Sequence, residues 1–264
     1  MNTTGDDDTM INDTTAGCDL LVVSPHPDDA EIGLGGMLAA LSARGRRVWA
    51  LELTRGELGT NSDPEERWSE ASAAADVLGL TGRVQLALPD GFIDANDQAQ
   101  AAALVAVIRR LRPAWLITAP EPTRHPDHQA TPALAARAVF LARLSTWRPD
   151  LPPLRLHGVS ALPDPVDRWE TGTVAQVCTE DGRPSFLFDV TGHWERKLAA
   201  LDCYRSQLRR DDGRRATVIN DPAFLQRIDD RARRWGRQAG VGCAEAFTTL
   251  QVPVLDDLPA GPWR

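Results

Sequence analysis

The apolar positions along the chain alternate between short continuous runs and longer stretches with helical spacing. Residues 18–24 (CDLLVVS) form a continuous apolar run before Pro25, which is typical of a strand buried on both faces. Residues 30–43 have apolar side chains at helical spacing and end at Gly45. The same alternation predicts three further strands and three further helices, the strands at 47–54, 84–88 and 115–119 and the helices at 64–78, 98–111 and 129–144. Four such repeats predict an α/β fold, with a Rossmann-like, mostly parallel sheet and helices on both faces.

The repeating pattern weakens after residue 150, where RPDLPP (148–153) indicates a loop. Beyond it we expect a smaller C-terminal α+β part, with strands near 154–162, 173–178, 186–190 and 245–250 and helices near 194–205 and 222–240. We therefore predict one domain over residues 18–250, made of an N-terminal part at about 18–147 and a C-terminal part at about 154–250. Residues 1–17 are acidic and lack apolar periodicity, which predicts a disordered tail, and 251–264 are expected to form a C-terminal tail.

Four polar loops are predicted to meet at one edge of this sheet. The segment PHPDD follows the first strand, RGELGTN the second, PDG the third and RHPDH the fourth. In open parallel sheets, ligands bind in the crevice beyond the carboxyl ends of the strands. We therefore expect these four loops to share one rim, and we expect the functional site there.

Two of the four loops contain side chains that can bind and use a metal ion. These are the imidazole and carboxyl groups of His26, Asp28, Asp29, His125, Asp127 and His128. Two imidazoles and one carboxylate are a common set of ligands for catalytic zinc, and they leave a fourth position open for water. The zinc ion lowers the pKa of the bound water to about 7. The remaining groups could act as a base, as an acid or oxyanion donor, and as a carboxylate that orients a histidine.

Other interpretations of the same residues remain open. An Asp pair before a helix is often only an N-cap, and HPDH in a loop is often a turn. The ligand set would also suit an iron enzyme with oxygen chemistry, and the fold would suit a non-catalytic sugar- or nucleotide-binding module. Residues 33–36 (GLGG) do not fit GxGxxG, and they favour close packing of the helix against the sheet over dinucleotide binding.

Composition narrows the classes of partner. A net charge of −8 gives no overall basic footprint for nucleic acid. We expect no membrane span, because no apolar run of about 18 residues occurs, and no signal peptide, because no apolar segment follows a basic start. The four cysteines are far apart and form no CxxC pair, which favours reduced thiols in a cytoplasmic protein.

The motifs PHPDD with EIG (25–33) and HPDH (125–128) resemble those of the zinc-dependent N-acetylglucosaminyl deacetylases of the LmbE and PIG-L type. Segments 53–71, 88–93, 204–207 and 240–247 are most similar to deacetylases of bacillithiol biosynthesis, and the likeness covers about residues 18–250. The resemblance implies an LmbE-like fold and a Zn²⁺ cofactor, with Fe²⁺ or another divalent metal as the alternative. It also implies a homo-oligomer.

The same resemblance implies roles for the motif residues. His26, Asp29 and His128 would bind the metal. Asp28 would be the general base, and His125, oriented by Asp127, would be the acid or electrophile.

The remaining implied roles concern the substrate. Tyr204 would help to polarise the carbonyl, and Glu57, Asn61 and Arg67 would contact the substrate. The planar guanidinium of Arg67 would suit the carboxylates of a malate aglycone. The expected reaction is removal of the N-acetyl group from an N-acetylglucosamine conjugate, with N-acetylglucosaminyl-malate as the first candidate. An inositol conjugate or a chito-oligosaccharide is the alternative.

Overall fold

A computed structural model describes residues 17–118, 124–178, 180–210 and 213–249 of the chain. The tails predicted at 1–17 and 251–264 lie outside these residues, apart from Gly17. The strands are β1 (Leu20–Ser24), β2 (Val48–Thr54), β3 (Gly82–Leu88), β4 (Trp115–Thr118), β5 (Arg155–His157), β6 (Thr173–Val177), β7 (Phe186–Asp189) and β8 (Ala244–Thr249). The helices are α1 (Asp29–Ala43), α2 (Pro64–Leu78), α3 (Gln98–Leu111), α4 (Pro126–Ala142), α5 (Trp194–Leu201), α6 (Arg205–Leu208) and α7 (Pro222–Ala239), with a 3₁₀ turn at Thr191–His193.

Within the described residues the strands form one sheet in the order β5-β3-β2-β1-β4-β6-β8-β7. The pairs β1–β2, β2–β3, β1–β4 and β4–β6 are parallel, whereas β5, β7 and β8 join by antiparallel pairing. This arrangement confirms the mostly parallel α/β sheet, with the C-terminal strands adding its antiparallel part. The chain order reverses between β1 and β4, which are neighbours in the sheet, and open α/β sheets bind ligands beyond the carboxyl ends of their strands at such a point.

Both faces of the sheet are covered by helices, as the apolar pattern predicts. Alternate residues of β1 point to opposite faces, so Leu20 and Val22 belong to one core cluster and Leu21 and Val23 to the other. The first cluster contains residues of α1, α2, α5 and α7, and the second contains residues of α3 and α4. Among the helices described, none is both long and apolar enough to span a membrane.

The glycines of α1 allow this helix to approach its neighbours closely. A Cβ atom on Gly33 would lie 3.2 Å from Val177 Cγ2 in β6. A Cβ atom on Gly36 would lie 2.7 Å from Val190 Cβ, a distance at which one of the two must move. The GLGG run therefore serves close packing, as the sequence predicts.

Replacing Gly36 by alanine should destabilise the protein by about 1–3 kcal/mol, because the added methyl group overlaps Val190. Urea unfolding followed by circular dichroism measures the effect as a lower midpoint. Gly192→Ala is the matched control, since a Cβ there meets nothing within 4 Å. Equal midpoints for the two variants would contradict the packing argument.

Three elements differ from the sequence-based expectation. Helix α4 begins at Pro126 instead of near residue 129, because proline occupies its first position and His125 acts as the N-cap. His128 consequently lies in the first turn of a helix. The strand expected at 154–162 is only Arg155–His157, and Gly158, with φ of +81°, follows it directly. The helix expected at 194–205 ends at Leu201, and a separate short helix α6 follows.

Candidate functional site

The three predicted metal ligands meet beyond the carboxyl ends of β1 and β4. His26 comes from the segment that joins β1 to α1, Asp29 is the first residue of α1, and His128 lies in the first turn of α4. Asp29 Oδ2 lies 3.3 Å from His26 Nδ1 and 3.2 Å from His128 Nε2. Tetrahedral zinc with ligands at about 2.0–2.1 Å separates neighbouring ligand atoms by about 3.3 Å. These three residues, the metal centre, therefore fit a divalent metal ion, and a second group that could hold one shares His26 and adds Asp90, His125 and Asp127.

Two further carboxylates hold the far side of the His26 ring. His26 Nε2 lies 3.0 Å from Asp90 Oδ1 and 3.1 Å from Asp127 Oδ2. A carboxylate behind a metal-binding histidine fixes its orientation and makes the other ring nitrogen a better ligand. Burial lowers the pKa of His26, but its bonds to Asp127, Asp29 and Asp90 outweigh burial and raise this pKa to about 11. The negative surroundings that favour a proton here also favour a cation.

Asp127 links the loop after β3 to α4. Its carboxylate accepts hydrogen bonds from the backbone N–H groups of Gly91 at 2.7 Å and Ile93 at 3.1 Å. The same carboxylate contacts the His26 ring. That Asp127 orients His125, as expected from the sequence, stays a prediction. The backbone N–H of Asp127 donates to His125 Nδ1 at 3.3 Å.

His125 lies beside the metal centre on the exposed rim. Its ring centroid is 4.6 Å from that of His26. Burial and the nearby charge of His26 lower the pKa of His125, which favours a neutral ring. A neutral imidazole at this position can donate or accept a proton at a substrate atom.

Asp28 has an unusual backbone conformation next to the metal centre. It is the N-cap of α1 with φ of +103°, and its side chain forms no capping hydrogen bond. Such strain in a residue other than glycine tends to occur at functional sites. Burial is the main reason that the pKa of Asp28 rises to about 7, while Arg67 opposes the rise and Asp29 adds to it. The capping explanation for this residue therefore does not hold, and a carboxylate of this pKa suits a general base.

Arg67 is buried and contacts the candidate base. Its Nη2 atom donates to Asp28 Oδ2 at 3.1 Å and to the backbone oxygen of Pro27 at 2.6 Å. Helix α2 presents this guanidinium, with Asp63 as the side-chain cap of the helix. The contact expected from the sequence was with a substrate carboxylate, and that contact stays a prediction.

Replacing Arg67 by alanine should lower kcat about tenfold or more for neutral and anionic substrates alike, because Asp28 loses the group that positions it. Steady-state kinetics on N-acetylglucosamine and on its malate glycoside measures this directly. A rise in KM for the malate glycoside alone, with kcat unchanged, would instead support direct binding of the aglycone carboxylates.

The other two predicted substrate contacts are engaged within the protein. Glu57 Oε1 accepts the backbone N–H of Asp90 at 3.0 Å, so it joins the loops after β2 and β3. The Asn61 side-chain amide exchanges two hydrogen bonds of 2.9 Å with the backbone of Arg215. Both residues order the rim, and their contact with a substrate stays a prediction.

Tyr204 is fully buried, and its hydroxyl accepts a hydrogen bond from Arg83 Nη1 at 3.4 Å. Arg83 also bonds to Glu31 of α1 and Glu52 of β2, both of them buried. In this conformation the phenol faces the protein interior, so direct contact of Tyr204 with a substrate carbonyl stays a prediction. The observed cluster instead links α6 to the elements that lead into the metal centre.

Sequence reasoning assigned no role to Asp90 or Arg83. Asp90 lies in the PDG turn after β3, which is one of the four loops predicted to share one rim. That position could have indicated that Asp90 belongs to the site. Arg83 is a charged residue within a buried strand. Its partner Glu31 is 52 residues away in sequence, and its partner Tyr204 is 121 residues away. No local pattern could identify those partners.

Comparison with known proteins matches residues 21–139 to the family model PIG-L, described as GlcNAc-PI de-N-acetylase. The metal centre lies within this span. A diacetylchitobiose deacetylase from Thermococcus kodakarensis is 31% identical over 206 residues, which cover 73% of this chain and 71% of that protein. A 1D-myo-inositol 2-acetamido-2-deoxy-alpha-D-glucopyranoside deacetylase from Salinispora arenicola is 28% identical over 233 residues. The match covers 72% of this chain and 76% of that protein.

The fold has a solved counterpart in a conserved protein from Thermus thermophilus. That structure superposes with a TM-score of 0.76 and 34% identity, covering 93% of this chain and 99% of the other. The identity to the Thermococcus protein extends over more than two thirds of both chains. From these similarities, together with the match over residues 21–139, we conclude that the chain belongs to the PIG-L (GlcNAc-PI de-N-acetylase) family.

Proposed function

We propose that this protein is a metal-dependent hydrolase that removes the N-acetyl group from a small N-acetylglucosamine-containing molecule. The observation that supports this most is the metal centre with a separate carboxylate, Asp28, directly beside it. A protein that only binds sugars would not need a second carboxylate beside the metal ligands. The names of the related proteins, which are deacetylases of acetylated glucosamine compounds, support the same reaction class.

Different residues of the site have different roles in amide hydrolysis. His26, Asp29 and His128 would hold the metal ion, which when bound supplies water of lowered pKa. Asp28 accepts the proton that the attacking water loses, and Arg67 keeps its carboxylate in place.

Hydrolysis then breaks the bond between the acetyl carbon and nitrogen. His125, on the rim, stabilises the negative charge that develops on the carbonyl oxygen by donating a hydrogen bond. The leaving nitrogen takes up a proton from Asp28 or His125, and the products are acetate and a free amine.

For the aglycone, the names of the related proteins support the alternatives rather than malate. The malate hypothesis depends on Arg67, whose guanidinium contacts Asp28. The name of one related protein, a diacetylchitobiose deacetylase, indicates a second sugar as the aglycone. The name of the other indicates inositol. We therefore propose a ring-shaped aglycone. Zinc, with Fe²⁺ as the alternative, a cytoplasmic location and a homo-oligomeric state remain predictions from the sequence.

Release of acetate from a panel of substrates tests the proposal. The panel consists of N-acetylglucosamine, N,N′-diacetylchitobiose, and the inositol and malate glycosides of N-acetylglucosamine, each assayed for free amine. We expect turnover without oxygen and loss of turnover after chelation. Binding without acetate release would indicate a binding module, and product formation only in the presence of O₂ would indicate an iron oxygenase.

A further inference from the structure

Two large apolar side chains are exposed on the loops that follow β2 and β3, at the same edge of the sheet as the metal centre. Leu58, in the loop after β2, is 65% exposed, and Phe92, in the loop after β3, is 70% exposed. The other exposed large apolar side chains among the described residues lie in or after α4 or in the C-terminal part, and they are Phe140, Leu144, Val218 and Leu225. Exposed apolar side chains that cluster beside a polar site often mark a ligand-binding surface.

The backbone that presents these two side chains is held by the groups around the metal centre. The Leu58 N–H donates to Asp90 Oδ2 at 2.8 Å, and the other oxygen of that carboxylate contacts His26. The Gly91 N–H donates to Asp127 Oδ2, and Gln100 Nε2 donates to the Phe92 carbonyl at 3.1 Å. The backbone of both loops is therefore tied to the groups around the metal centre, which lowers the entropic cost of binding a ligand there.

The Leu58 side chain lies over the loop that carries Phe92. A Cβ on Gly91 would lie 3.2 Å from Leu58 Cδ1, so the leucine side chain covers the backbone directly before Phe92. Gly91 has φ of +81°, and it lacks the side chain that would separate the two loops. We name Leu58, Gly91 and Phe92 the apolar rim.

We propose that the apolar rim binds the aglycone of the substrate and that Phe92 stacks on the C–H face of a pyranose ring linked to the reacting N-acetylglucosamine. This inference rests on the proposed deacetylase function. The face of an aromatic ring is negative, whereas the C–H groups on one face of a sugar are weakly positive and apolar, so the two attract each other. The rim lies next to the metal centre, where the group linked to the reacting sugar must extend.

The test compares kcat/KM for N,N′-diacetylchitobiose and for N-acetylglucosamine in Phe92→Ala, Phe92→Leu and the parent protein. We expect the ratio of the two values to fall about three- to tenfold in Phe92→Ala. Phe92→Leu should show most of the same loss, because a leucine keeps the apolar contact but lacks the ring face. Phe140→Ala, which removes a phenylalanine of 60% exposure on α4, should leave the ratio unchanged.

The outcomes separate the inference from the proposed function. An unchanged ratio in Phe92→Ala, with both substrates still hydrolysed by the parent, would overturn the inference alone. Full rescue by leucine would also overturn it, because an alkyl contact would then suffice. If the parent protein hydrolyses none of the acetylated substrates, the proposed function itself fails.

Discussion

Replacing Asp28 by asparagine should lower kcat by about 10²- to 10⁴-fold while the protein still binds one divalent ion. The loss is expected because the amide cannot accept a proton from water, whereas Asp28 is not among the three ligand residues. Asparagine is the suitable replacement because it tolerates the left-handed conformation that Asp28 adopts, with φ of +103°. Metal content by atomic absorption and single-turnover kinetics together measure the two effects.

The neighbouring residue provides the matched control for this experiment. Asp29→Asn should lose metal binding, because Asp29 Oδ2 faces both ligand imidazoles. If Asp28→Asn retains full turnover, Asp28 is not the base. If it loses its metal instead, the two adjacent carboxylates have exchanged roles.

Replacing His128 by alanine should weaken metal affinity by more than about 100-fold and abolish activity. Loss of a residue that only hydrogen-bonds to a metal ligand already lowers metal affinity about 10- to 100-fold. Loss of a ligand itself should therefore lower the affinity further. His128 lies in the first turn of α4 with its Nε2 3.2 Å from Asp29 Oδ2. Isothermal titration of the metal-free protein with Zn²⁺ gives the affinity, and circular dichroism verifies the fold.

His125→Ala is the control for this second experiment, since it removes an imidazole from the same motif. Its ring contacts His26, and it belongs to the second candidate group with Asp90 and Asp127, not to the three-residue metal centre. We expect His125→Ala to keep metal affinity within about tenfold and to lose turnover through missing stabilisation of the oxyanion. Equal loss of affinity in both variants would contradict the assigned ligand set.

Much of the fold was predictable because its signals are local. Continuous apolar runs before Pro25 and in β2 identify buried parallel strands, and the alternation with helices predicts the doubly covered sheet. The meeting of His26 with His128 follows from topology, since both motifs come after strands that are neighbours at the reversal of strand order.

Other features could not be predicted because they depend on contacts distant in sequence. The contact of Arg67 with Asp28 joins residues 39 positions apart, and nothing in the α2 pattern indicates which of several partners its guanidinium meets. Burial of Tyr204 against Arg83 depends on where α6 packs, and a short helix of four residues leaves little signal in the sequence.

The β5 region illustrates a third limit of prediction from sequence. The apolar residues near Leu154 and Leu162 resemble a long strand, but both pack against the core from segments outside the strand. Tertiary packing thus takes precedence over the local pattern at this edge of the sheet.

Anomalous diffraction from crystals grown with Zn²⁺ would show directly which residues bind the metal ion. We expect one strong peak about 2.0–2.2 Å from the ligand atoms of His26, Asp29 and His128, with Asp28 outside that shell. A peak coordinated instead by Asp90, His125 and Asp127, or no ordered metal between the two motifs, would contradict it.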